Sequence, residues 1–167
     1  MVLFLSSERL KNDLLNDNVD DNYVRSATII VQRDLRELIG DSLYEKLEDM
    51  VDNDTIEGTP YQELLDSFVV PYLEFNAMAE LCVTTSLKIG NIGLYQNFDQ
   101  NANSTELPTI KYVQKHWEQK GEFYRNRLVK YLNQNKDKFP EYTCSCQNLT
   151  NPSENSITKT GIWLGGR

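Results

Sequence analysis

The sequence predicts an all-α fold: a helical bundle of about four to five helices, with a long asparagine-rich loop at Asn91–Thr105 and an extended C-terminal tail. Two apolar patterns carry that prediction. Val24, Ala27, Val31, Leu35 and Leu38 recur at steps of three and four. At roughly 100° per residue they form one stripe of a helix. Tyr61, Leu65, Phe68, Tyr72, Phe75, Ala79 and Cys82 alternate the same steps over a longer stretch, the seam of a bundle helix. A third observation sets the boundaries. Helix-ending glycines and helix-opening Ser, Thr, Asp and Pro residues fall between the periodic stretches.

Residues 1–5 form an apolar tip. Ser6 or Ser7 can cap a short helix holding Leu10 and Leu14. Asn16-Asp17-Asn18 reads as a turn. Asn18 or Asp20 caps the helix that begins near Tyr23, and Asp20 and Asp21 favour its positive end. Past Leu38 the stripe changes phase. Leu43, Leu47 and Val51 lie roughly 120–180° away at the same 100° per residue. Gly40 marks the break and is expected to take the left-handed conformation that ends a helix. Ser42-Leu43-Tyr44-Glu45 reads as a capping box opening the next helix.

Asp52 to Gly58 is a polar loop. Its acidic residues lack the glycine position and final glutamate of a calcium loop. Thr59 and Gln62 read as a second capping box around Pro60 at the first helical position. Pro71 removes a backbone donor and is expected to kink this helix, which is apolar on most faces. The helix fades near Lys88-Ile89-Gly90. The segment from Asn91 to Thr105 is long for a structureless loop, either mobile or ordered by a partner. The last helix carries Ile110, Val113, Trp117, Tyr124, Leu128 and Tyr131 on its stripe, with Gly121 permitting close approach of another helix. Lys136-Asp137-Lys138-Phe139-Pro140 ends it. From Glu141 the helical period is lost, so we divide the chain into a helical domain, 1–140, and a tail, 141–167, with Ile162-Trp163-Leu164 as its apolar anchor.

At 167 residues the chain suits one domain. Its net charge of −8 disfavours a general nucleic-acid binder. The charge is uneven. Residues 1–70 hold 6 basic and 16 acidic residues, whereas residues 111–130 hold 6 basic and 2 acidic ones. The two can pair within one fold or between copies. Arg125 and Arg127 are the cations we assign to a contact between copies. Three cysteines, no basic leader and no apolar run of membrane length point to a soluble chain in a reducing cytoplasm. The sequons at Asn103 and Asn148 are then chance matches.

Catalytic signals are sparse. His116 is the only histidine, beside Trp117, and reads as structural. Cys144-Ser145-Cys146 lacks the further ligands that zinc needs, and Cys82 reads as a small core residue. Glu74 and Glu80 lie six apart and do not face each other as a dyad. No phosphate loop, dinucleotide glycine pattern or nucleophile elbow is present. We assign no catalytic, cofactor-binding or metal-ligating residue and expect no enzyme activity.

The motif Gln32…Leu38-Ile39-Gly40-Asp41-Ser42-Leu43-Tyr44-Glu45-Lys46-Leu47 resembles the core of small head–tail connector proteins, the ring or adaptor proteins of tailed bacteriophages, closest to those of crAss-like phages. Tyr61-Gln62-Glu63-Leu64-Leu65, Val70-Pro71-Tyr72-Leu73, Phe123–Leu128 with Tyr131-Leu132, Phe139-Pro140-Glu141-Tyr142 and Thr160–Leu164 follow in the same order. The resemblance implies a structural virion protein, assembled in the bacterial cytoplasm and located at the portal vertex. It implies a homo-oligomeric ring matching the portal's symmetry, which would make it a dodecamer. The ring would contact the portal and further neck or tail proteins, surround the DNA exit channel without reading sequence, and touch no membrane. Ile162, Trp163 and Leu164 would dock on a neighbour. The other reading of the residues is a helical adaptor that binds one protein partner and forms no ring.

Overall fold

The computed structural model describes residues 2–15, 19–90, 93–96 and 107–142. The fold is all-α. Its elements are α1 (Ser7–Leu14), α2 (Asp21–Ile39), α3 (Asp41–Asp52), α4 (Pro60–Leu64), a π-helical turn (Leu65–Val69), α5 (Val70–Ser86) and α6 (Leu107–Gln134). A short hairpin, β1 (Leu87–Gly90) with β2 (Gly93–Gln96), follows α5.

Ser6 caps α1, accepting from the Arg9 amide, and Asp20 caps α2, accepting from the Asn22 amide. The stripe of α2 packs as its spacing demands: Val24, Ala27, Val31, Leu35 and Leu38 are buried. The chain then turns at Gly40, with φ 85° and ψ 154°. The positive φ is the expected one, but the ψ is not left-handed helical. This region is open essentially to glycine alone. The corner lets α3 bury Leu43 and Leu47 of the rotated stripe, together with Tyr44 and Met50, while Val51 is only partly buried. Gly40→Ala is therefore expected to cost about 1–3 kcal/mol. Thermal melts of the variant check this, and an unchanged midpoint contradicts it.

Neither expected capping box forms. α3 starts at Asp41 with no side-chain cap. Glu45 instead accepts from Arg36 at 2.8 Å, and Asp41 accepts from the same guanidinium at 2.5 Å. The arginine of the preceding helix outcompetes a neutral amide for these carboxylates, because charge-assisted bonds are the stronger ones. At α4 the Thr59 hydroxyl donates back to the Ile56 carbonyl, and Gln62 accepts from the Gly58 amide. The positive φ of Gly58, 73°, aims that amide inward at the helix start.

α4, the π turn and α5 follow one another without a break. Pro71 acts through the turn before it. The Val70 amide bonds to Leu65, five residues back. That wider turn relieves the clash a proline ring makes with the preceding carbonyls. α5 is the central helix. Val70, Tyr72, Leu73, Ala77, Met78, Ala79 and Leu81 are buried, and none of its side chains is fully exposed. α2 packs on it from one side and α6 from another. Along its seam Tyr72 and Ala79 are buried, Leu65, Phe68, Phe75 and Cys82 are only partly buried, and the rings of Phe68 and Phe75 face α6.

Gly121 gives α6 its closest approach. A Cβ there would lie 2.5 Å from the amide atoms of Asn76 on α5, and Asn76 is held by donating to the Tyr72 carbonyl at 2.8 Å.

Three segments go beyond the sequence reading. The apolar tip joins the core: Phe4 and Leu5 are buried. Gln32, itself fully buried, accepts from the Phe4 amide at 3.1 Å and donates at 2.6 Å to the Val2 carbonyl and 2.7 Å to the Tyr44 hydroxyl. Part of the asparagine-rich loop is the hairpin, paired antiparallel from Leu87–Gln96 to Gly90–Gly93. Its ends are glycines, which suit tight reversals. The rest of that loop lies outside the described residues. Finally, the helical domain extends beyond residue 140. Phe139 and Tyr142 are buried, and Glu141 accepts from the Tyr61 hydroxyl at 2.7 Å. Residues 143–167 lie outside the described residues.

Candidate functional site

The surface that stands out is the outer face of α6. On α6 the exposed large apolar side chains are Leu107, Tyr112, Val113 and Phe123; Tyr112, at 74%, and Phe123, at 56%, share one helix face. The stripe read from sequence divides in two. Its C-terminal part packs, with Leu128 buried and Tyr131 stacked on Phe68 at 4.2 Å. In its N-terminal part Ile110 and Trp117 are half-buried, Trp117 against the core, and Val113 is exposed.

Between these halves lies an aromatic layer. Phe75 stacks on Tyr124 at 5.2 Å and on Trp117 at 6.0 Å. Lys120 sits 4.7 Å above Trp117 and 5.4 Å above Phe75. Arg127 lies between 5.5 and 5.7 Å from the rings of Phe68, Phe123 and Tyr124. Such cation–π contacts hold cations against apolar surface without neutralising them. Two shallow depressions adjoin there. One is lined by Phe75, His116, Gln119, Lys120, Phe123 and Tyr124, and the other by Tyr112, Lys115, His116 and Gln119. His116 and Gln119 belong to both. Tyr112, His116, Gln119 and Phe123 follow the spacing of one helix face, so the two depressions form one strip.

Among the described residues no ion pair joins the cations of α6 to the acidic half of the chain. Among the described residues, Arg125 pairs with Glu122 on its own helix at 3.4 Å. The acidic half instead pairs with its own few cations: Lys11 with Asp21, and Arg36 with Asp41 and Glu45. Glu74, buried on α5, takes Arg9 of α1 at 3.2 Å. It links two helices, a role that no periodicity along the chain reveals. Of the sequence-assigned interface residues, Arg125 and Arg127 both lie on α6, Arg125 in its helix pair and Arg127 over the rings. Ile162, Trp163 and Leu164 lie outside the described residues.

The shifted ionisable groups near the core move toward their neutral forms. Burial pushes Tyr72 up to about 12. Burial and the bond to Glu141 push Tyr61 to about 12. Burial raises the Cys82 thiol, and burial, then the charge of Glu37, raises the Asp34 carboxyl. Neutral tyrosines and thiols of this kind pack well and attack poorly. Among the described residues no cluster of three or more metal-ligating side chains occurs, and no helix is long and apolar enough to cross a membrane.

A family model matches residues 35–152, more than half of the chain, and the chain belongs to that family: DUF6712, a family of unknown function. The match opens on the last turns of α2 and takes in the Gly40 corner, the π turn, α5, α6 and Phe139. No curated protein and no solved structure matches the chain.

Proposed function

We propose that this protein is a structural connector of a tailed-phage virion: a homo-oligomeric ring joining the portal to neck or tail proteins around the DNA exit channel. The observation that supports it most is the outer strip of α6, where the exposed rings of Tyr112 and Phe123 lie beside Lys115 and Arg127. A surface of this kind belongs to an assembly component. The residues of the connector resemblance fall at the positions that set the fold. Gln32 holds the N-terminal tip, Gly40 makes the corner, Pro71 follows the π turn, and Phe139 and Tyr142 close the base of α6. The acidic balance of the chain suits a channel wall that lets DNA pass without adhering. The protein acts by shape and contact, with no reaction step.

The tail adds a second contact. Trp163, flanked by Ile162 and Leu164, docks on a neighbouring subunit, the portal or the next neck protein. A single aromatic anchor carries much of such an interface, so Trp163→Ala is expected to weaken docking by about 2 kcal/mol. Isothermal titration against the purified neighbour checks this, and an unchanged affinity removes Trp163 from the interface.

Electron microscopy of the protein mixed with its purified portal tests the function. Rings seated coaxially on the portal are expected. Single copies bound to the portal without a ring would instead establish an adaptor for one partner.

A further inference from the structure

Resting on the ring reading, we infer which two faces meet between copies: the outer strip of α6 docks on the acidic face of α3 in a second copy. The two faces complement each other in charge. α3 carries Asp41, Glu45, Glu48, Asp49 and Asp52 against one lysine, a net of −4, of which Arg36 of α2 offsets part at Asp41 and Glu45. Asp49 and Asp52 are exposed. Glu45, Glu48, Asp49, Asp52 and Val2 line a shallow depression of about 500 Å³. The first half of α6 presents Lys111 and Lys115, both exposed, around Tyr112. Neither lysine has an ion-pair partner among the described residues. Long-range attraction between a carboxylate-lined hollow and a lysine-bearing aromatic strip favours their encounter and fixes its register.

The two faces also stand apart in the fold. α3 packs on α2, and α6 packs on α5 and the π turn. A contact between two different faces is heterologous. It repeats from copy to copy and closes into a ring when the rotation allows, whereas one face meeting itself stops at a dimer. The paired faces therefore account for a ring, and the oligomer needs no second interface.

The test is a charge reversal on each side, followed by mixing. Lys111→Glu with Lys115→Glu is made in one chain, and Asp49→Lys with Asp52→Lys in another. All four side chains are exposed, and circular dichroism confirms that helix content is kept. Mass is read by light scattering at low salt, with portal present as the assembly template. Each variant alone is expected to need at least a roughly tenfold higher concentration to assemble, a loss of about 1.4 kcal/mol or more. The mixture of the two is expected to recover heterotypic pairs. If wild type assembles and both variants still assemble, the face assignment falls while the ring stands. If only the α6 reversal disrupts assembly, the strip is covered by another occupant, residues 143–167 or an unlike neck protein, and the proposal is overturned. If wild type itself never assembles, the ring reading fails.

Discussion

Phe139→Ala is expected to destabilise the protein by about 3–5 kcal/mol, the usual cost of emptying a buried aromatic site. Phe139 lies five residues past the end of α6 and is fully buried. Its ring meets Tyr61 edge-on at 5.2 Å and Tyr131 at 5.9 Å. Removing it opens a cavity between the start of α4 and the end of α6, at a point where Tyr61 also donates to Glu141. For a chain of this size a loss of that order lowers the melting temperature by roughly 10 °C or more. A melt within a degree or two of wild type would mean that the segment after α6 does not belong to the core.

The second large effect is at Gln32. Gln32→Ala is expected to cost about 3 kcal/mol. The Phe4 amide and the Tyr44 hydroxyl lose their buried partner, and each such loss costs about 1–3 kcal/mol. The Val2 carbonyl loses its donor too, although it lies nearer the surface. Because Gln32 holds the tip by its backbone, the loss falls first on residues 2–5. Limited proteolysis is expected to cut the variant near the N-terminus well before the helices, and hydrogen exchange to rise at Phe4. Equal protection of Phe4 in variant and wild type would contradict the role of this amide.

These two residues also show where the sequence is legible. The stripe of α2 and the rotated stripe of α3 can be read directly, because a helix that buries one face must repeat its apolar residues at its own period. The corner between them is legible for the same reason: a phase change needs a break, and Gly40 is the residue able to make it. Its ψ is not legible, since glycine permits several positive-φ conformations and tertiary packing selects among them. Phe4, Phe139 and Tyr142 escape because each is buried from irregular backbone, where no period announces it. Gln32 and Glu74 escape because a buried polar residue is recognised by its partners, which come from distant parts of the chain. The capping boxes mislead because Arg36 and Gly58, outside the four-residue pattern, supply better partners. The outer strip of α6 is half legible. Tyr112, His116, Gln119 and Phe123 have the spacing of one helix face, but spacing alone does not say whether a face meets another molecule.

A connector must assemble, and the mass of the purified chain in solution tests whether this protein does. Light scattering behind size exclusion is run from dilute to concentrated protein, at low and high salt, alone and with the purified portal. The expected result is a closed oligomer, a fixed multiple of 19.3 kDa, formed alone or on the portal, and weakened by salt because charge joins its copies. A species of 19.3 kDa under every one of these conditions would contradict the connector reading.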